Sequence, residues 1–132
     1  MLKLLLDTNI VIYVIKRRPP SALARFNQFQ GQMAISAITL AELVHGAEKS
    51  SDPARNLAVV RDFRSRLAVL DYGERAAHHC GSIRAALEKA GQPIGINDLH
   101  IAAQARCDGL VLVSNNLREF ERVPGLLTDN WV

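Results

Sequence analysis

Cysteine is scarce in this chain. Cys80 and Cys107 are the only two, and neither belongs to a CxxC pair. A disulfide framework is thereby excluded, and a reducing compartment suits the chain. Long apolar runs are missing as well. No stretch approaches the roughly 18 apolar residues of a membrane span. The leucines after Lys3 are interrupted by Asp7 and Asn9, short of the roughly 7–15 residues that the apolar region of a signal peptide needs. The expectation is a soluble, cytoplasmic protein with no membrane contact. Neither GxxxxGK[ST] nor GxGxxG occurs, so P-loop and dinucleotide chemistry lack their phosphate cradle. Aromatic residues make up 5%, which leaves few platforms for stacking single-stranded bases. No internal repeat, low-complexity tract or long linker divides the sequence.

What is present is an ordinary globular composition, 48% hydrophobic and 22% charged over 132 residues. One domain spanning 1–132 is expected, long enough to bury roughly two-thirds of its unfolded surface. Sixteen Lys and Arg against thirteen Asp and Glu give a net charge of +3, which permits a polyanionic partner without demanding one.

Apolar runs of strand length alternate with helical patterns. Lys3–Leu6, Met33–Ser36, Leu67–Leu70 and Leu110–Val113 read as strands. Residues 10–16, 22–29, 38–49, 56–66, 74–90 and 98–107 read as helices, punctuated by Pro19-Pro20, Ser50-Ser51-Asp52-Pro53, Gly91 and Gly109. Strands separated by helices imply crossover connections, hence a three-layer α/β/α sandwich around a parallel sheet.

In such a sheet, ligands bind beyond the carboxyl ends of the strands. Asp7 stands at one such end, directly after Leu4-Leu5-Leu6, and Ser114-Asn115-Asn116 follows another. Glu42 lies in the helix after the second strand, and Asp98 opens a later helix. Singly, each acid has an ordinary reading: Asp7 and Asp98 as helix caps, and Thr39-Leu40-Ala41-Glu42 as a capping box. A cap, however, does not require an apolar strand immediately before it, nor an acid flanked by core-like neighbours as in Ala41-Glu42-Leu43. Several carboxylates on one rim repel one another, and a hard divalent cation such as Mg2+ or Mn2+ relieves that repulsion. Such a centre suits activation of water against a phosphodiester.

Four ordered blocks, LLLDTNIVIYVI, SAITLAELVHG, GQPIGINDLHIAAQA and LVLVSNNLREFERVPGL, span essentially the whole chain. Together they resemble the PIN-domain nucleases, and more narrowly the VapC toxins of VapBC toxin–antitoxin pairs. The resemblance implies a metal-dependent endoribonuclease that cuts RNA, with a tRNA anticodon loop as the leading substrate. It implies a VapB-like antitoxin as partner, a homodimer within a larger assembly, and DNA contacted only through the antitoxin. Asp7, Glu42 and Asp98 match three of the family's acids. The fourth falls at Asn116, an amide; close relatives share Asn there with an acid three residues on, where this chain has Glu119. Thr8 and Ser114 match hydroxyl positions that orient carboxylates or a metal-bound water, and Asn9 matches a supporting amide.

Other classes fit less well. A receiver domain or a haloacid-dehalogenase-like phosphatase would want a further acid where Thr8 or Asn9 stands, and a flap-type PIN nuclease would need long insertions. A PIN module that only binds remains open, because Asn116 removes one acid. Among the histidines, His78-His79-Cys80 looks like a metal cluster, but neighbours on a helix point roughly 100° apart. His45, three residues after Glu42, shares its helix face, whereas His100 is expected to face away from Asp98.

Overall fold

Three leucines occupy the centre of the fold. Leu4–Leu6 form strand β1, and all three are buried because neighbouring strands flank β1 on both edges and helices cover both faces. The structure, a computed structural model, describes residues 1–132. Its other strands are β2 (Met33–Ser36), β3 (Ala68–Leu70), β4 (Val111–Val113) and β5 (Thr128–Asp129), joined in one all-parallel sheet of order β3-β2-β1-β4-β5. The helices are α1 (Thr8–Lys16), α2 (Pro20–Gln28), α3 (Ala37–Glu48), α4 (Pro53–Arg64), α5 (Glu74–Lys89), α6 (Ile96–Asp108) and the single turn α7 (Leu117–Phe120).

The period of two along each strand divides the core into two clusters. Leu4 and Leu6, with Met33, Ile35 and Val113, pack against Val14 of α1, Phe26 of α2, Leu43 of α3 and Phe63 of α4. Leu5, Ala34 and Leu112 turn the other way, against Ile83 and Leu87 of α5, Ile101 and Ala102 of α6, and Phe120. The inner strands, buried on both faces, are apolar apart from Ser36 at the end of β2, which is why they read as continuous apolar runs rather than alternating ones. The three-layer α/β/α reading of the sequence is the observed architecture.

Two local differences have physical causes. The segment Ser50–Pro53, read as a stop, also starts the next helix: Asp52 Oδ1 accepts the Arg55 N–H at 3.2 Å and Pro53 takes the first helical position, where a missing N–H costs nothing. Strand β5 lacks a sequence signature because two residues are too few to show a period. Its register comes from the ladder, in which the N–H of Ser114 reaches the Asp129 carbonyl at 2.9 Å. Behind β5, Trp131 is buried against Phe29 with ring centroids 5.9 Å apart, and its carbonyl accepts the Ser21 hydroxyl at 2.8 Å.

The order places β1 at the switch point: the chain leaves it for β2 and β3 on one side, then returns to β4 and β5 on the other. The carboxyl ends of β1 and β4 therefore border the crevice where open parallel sheets bind ligands.

Replacing Leu5 with Ala tests the centrality of β1. This side chain is fully buried, so the variant should lose about 2–5 kcal/mol of unfolding free energy in urea titrations. Leu127→Ala, at 66% exposure, should stay within about 0.5 kcal/mol of wild type.

Candidate functional site

Asp7 ends β1 and begins α1, and both roles come from its position. Its N–H extends the ladder to the Val113 carbonyl at 2.9 Å, while its Oδ1 accepts the Thr8 N–H at 2.8 Å as the N-cap of α1. The other carboxylate oxygen, Oδ2, accepts the buried Ser114 hydroxyl at 2.7 Å. The cap reading is thus correct for Asp7 but incomplete, because the residue is 4% exposed and faces other acids.

Glu42 and Asp98 are not the caps that the sequence suggests. Helix α3 begins at Ala37, capped by Ser36, whose Oγ accepts the Ile38 N–H at 3.0 Å, so Glu42 is well inside the helix and closes no capping box. It accepts instead from the Thr8 hydroxyl at 2.7 Å, and Thr8 Oγ1 lies 3.2 Å from the buried hydroxyl of Thr39. Helix α6 begins at Ile96 with Gly95 as its N-cap, which puts Asp98 in the first turn rather than at the cap.

Asn116 completes the rim. Its Nδ2 donates to Glu119 Oε2 at 3.0 Å and lies 3.5 Å from Asp98 Oδ2, and its backbone N–H donates to Ser114 Oγ at 2.9 Å. The structure therefore brings Asp7, Glu42, Asp98 and Glu119 into one electrostatic group, with Thr8, Ser114 and Asn116 as hydrogen-bond donors among them. Asn9 hydrogen-bonds to no carboxylate; its Oδ1 receives the Asn115 N–H at 3.4 Å. Thr39 is a supporting residue that the sequence pointed to only as part of a supposed capping box. Its real signal is its position one turn before Glu42 on the same helix face.

The histidines lie elsewhere. His45 and His78 are exposed, His79 Nδ1 accepts from Arg106 Nε at 2.9 Å, and His100 Nδ1 meets Tyr72 Oη at 2.8 Å and Cys80 Sγ at 3.6 Å. The run His78-His79-Cys80 thus faces different neighbours, as the helical periodicity predicts.

The electrostatics of the rim are unbalanced. The chain's two ion pairs, Asp62–Arg66 and Arg84–Glu88, sit on α4 and α5, and no cationic side chain hydrogen-bonds to any rim acid. Burial raises the affinity of Asp7 for a proton, opposed by the donors Ser114 and Thr8 and reinforced by the charges of Glu42 and Glu119. Asp98 is pushed up to about 7, first by burial, then by the neighbouring Glu119 carboxylate, which favours a proton on Asp98, and then by the charges of Asp7 and Glu42. Acids held this way take up either protons or a cation.

Oxygen donors of this kind match a hard divalent ion. No three His, Cys, Asp or Glu side chains form a ready-made cage; one oxygen of Glu42 accepts from Thr8 and one of Glu119 from Asn116. A closed cage is not what Mg2+ requires. It keeps several waters and commonly takes one or two carboxylates together with substrate phosphate oxygens.

Comparison with known proteins places this arrangement in context. The PIN domain family model matches residues 4–126. Ribonuclease VapC2 of Haemophilus influenzae is 64% identical over 132 residues, all of both chains. The tRNA(fMet)-specific endonuclease VapC of Shigella flexneri is 56% identical over 131 residues, 99% of each. The DNA-bound VapBC structure from Salmonella typhimurium contains a chain that superposes with a TM-score of 0.96 at 55% identity, covering 100% of both.

The proton affinity of the rim has a measurable consequence. Because Asp98 binds its proton more tightly in the folded state, about 7 against an ordinary 3.8, its contribution to stability is complete below about pH 4 and is lost as pH rises through 7. Asp7 is shifted in the same direction. In EDTA, the thermal midpoint should therefore fall between pH 5 and pH 8, and Asp98→Asn should flatten that fall. A midpoint that rises equally in both proteins would contradict the assignment.

Proposed function

The chain belongs to the PIN-domain family, in its VapC ribonuclease branch, and from that premise we propose that it is a toxin whose Mg2+- or Mn2+-dependent hydrolysis cuts a tRNA. The observation that carries the metal-dependent reading is the group of four carboxylates at the switch point of a parallel sheet with no cationic partner. Asp7 and Asp98, with Glu42, Glu119 and Asn116 as further oxygen donors, would hold the cation. When bound, it supplies a Lewis acid for the charge developing on the phosphorus oxygens and lowers the pKa of the attacking water.

The chain's own residues set the geometry for that chemistry. Ser114 and the Thr8 N–H fix both oxygens of Asp7, so the carboxylate is oriented before substrate arrives. The Thr8 hydroxyl keeps Glu42 aimed at the rim. Asp98, pushed up to about 7 by burial and by the acids around it, can hold or release a proton close to neutral pH, while Asn116 donates to Glu119 beside it. An open rim admits a polymer backbone that an enclosed pocket would exclude. The tRNA(fMet) specificity of the Shigella flexneri relative supports tRNA as the substrate. The anticodon loop is the segment proposed to be cut, because its unpaired nucleotides can be splayed onto such a rim.

A groove of about 130 Å³ between α1, α2 and α4 is proposed as the antitoxin's seat. Val14, Leu23, Phe26, Val59 and Phe63 line it, with Arg17 and Arg66 among the polar residues around them. Its apolar floor suits an amphipathic segment, and a VapB-like antitoxin is the proposed occupant because the Salmonella typhimurium relative was solved as a DNA-bound VapBC complex. In the same proposal the chain pairs as a homodimer, and DNA is contacted by the antitoxin alone.

Purified protein should cleave tRNA in Mg2+ or Mn2+ and stop in EDTA, with new 5′ ends mapping to one loop. Asp7→Asn, Glu42→Gln and Asp98→Asn should each lose well over an order of magnitude in kcat, and losses of tenfold or less in all three would defeat the assignment. Glu119→Gln should slow cleavage by about tenfold, roughly 1.4 kcal/mol of barrier. Adding Asn116→Asp to that variant should restore part of the rate. Glu119→Gln activity equal to wild type across a Mg2+ titration would remove Glu119 from the reaction.

A further inference from the structure

Asn115 is exposed, yet protein partners engage three of its polar groups. Its Nδ2 donates to Tyr13 Oη at 3.2 Å, its Oδ1 accepts from Asn130 Nδ2 at 3.3 Å, and its N–H donates to Asn9 Oδ1 at 3.4 Å. Water would satisfy an exposed amide equally well, so satisfaction alone gives no reason for partners from α1 and the C-terminal tail. Their physical effect is to pin the backbone between Ser114 and Asn116. Those two residues carry the rim: Ser114 holds Asp7 at 2.7 Å, and Asn116 holds Glu119 at 3.0 Å beside Asp98.

Tyr13 is suited to anchor that segment. Its ring is half-buried and packs against the first core cluster, so the hydroxyl is presented from a stiff support. Asn9 lies four residues earlier on the same face of α1, which aligns both contacts along the loop. We infer that Tyr13 is a positioning residue for the cleavage proposed above, acting through Asn115 to hold Ser114 and Asn116 against the carboxylates. The inference rests on that functional reading.

Tyr13→Phe removes the hydroxyl and keeps the ring, so any stacking of a base on the ring survives. In the purified protein with tRNA and Mg2+, kcat should fall roughly tenfold with KM unchanged, and the thermal midpoint should move by no more than about 2 °C. Asn115→Ala should behave alike, and the double variant should be no slower than either single one, because both break the same link. Independently of catalysis, the backbone amides of Asn115 and Asn116 should exchange faster with solvent in Tyr13→Phe. Unchanged kcat beside an active wild type, a raised KM at constant kcat, additive losses, or unchanged amide exchange would each overturn the inference. A wild type that cuts no RNA would instead overturn the functional reading, and the positioning role with it.

Discussion

The structure turns on one buried carboxylate. Asp7 closes the central strand, starts the first helix and accepts the Ser114 hydroxyl from the end of the neighbouring strand. Burying an acid is costly unless its oxygens are bonded, and here both are. That requirement brings β1, β4 and α1 to a single point, and the remaining acids gather around it from α3, α6 and α7. Their mutual repulsion is contained by short donors, Thr8 to Glu42 and Asn116 to Glu119, rather than by lysine or arginine. A rim neutralised by Arg would be more stable at neutral pH but would offer nothing to a cation.

Much of this was legible in the sequence. The four longer strands and six longer helices are visible because apolar runs and helical periods are properties of local sequence. Asp7 and Glu42 stood out because each sits against apolar neighbours, and Asp98 because it opens a helix and matches the family's third acid. The misreadings concern caps: Thr39-Leu40-Ala41-Glu42 has the letters of a capping box, but Ser36 starts the helix three residues earlier. Likewise, Gly95 rather than Asp98 precedes the first turn of α6. The Asn115 contacts with Tyr13 and Asn130 left no signal, since they join segments far apart in the chain through side chains common in any loop. Strand β5 was equally invisible, its pairing being set by β4 rather than by its own two residues.

The surface divides the labour between two regions. The acids occupy an open rim, whereas the apolar groove lies between α1, α2 and α4. Helix α1 belongs to both, since its first residue is Thr8 and Val14 lines the groove. A segment seated in the groove therefore lies one helix length from the acids, within reach of a short extension.

Strand order also governs when the site can form. Leu4 pairs with Val111, so the central strand waits for a neighbour from the far end of the chain. Ser114, Asn116 and Glu119 come later still in the chain, and Trp131, which stacks on Phe29, later again. Non-local parallel pairing of this kind forms slowly, because loop closure must precede the contacts that reward it. A chain that ends before β4 thus has Asp7 and Glu42 but lacks Ser114, Asn116 and Glu119, and cannot assemble the rim.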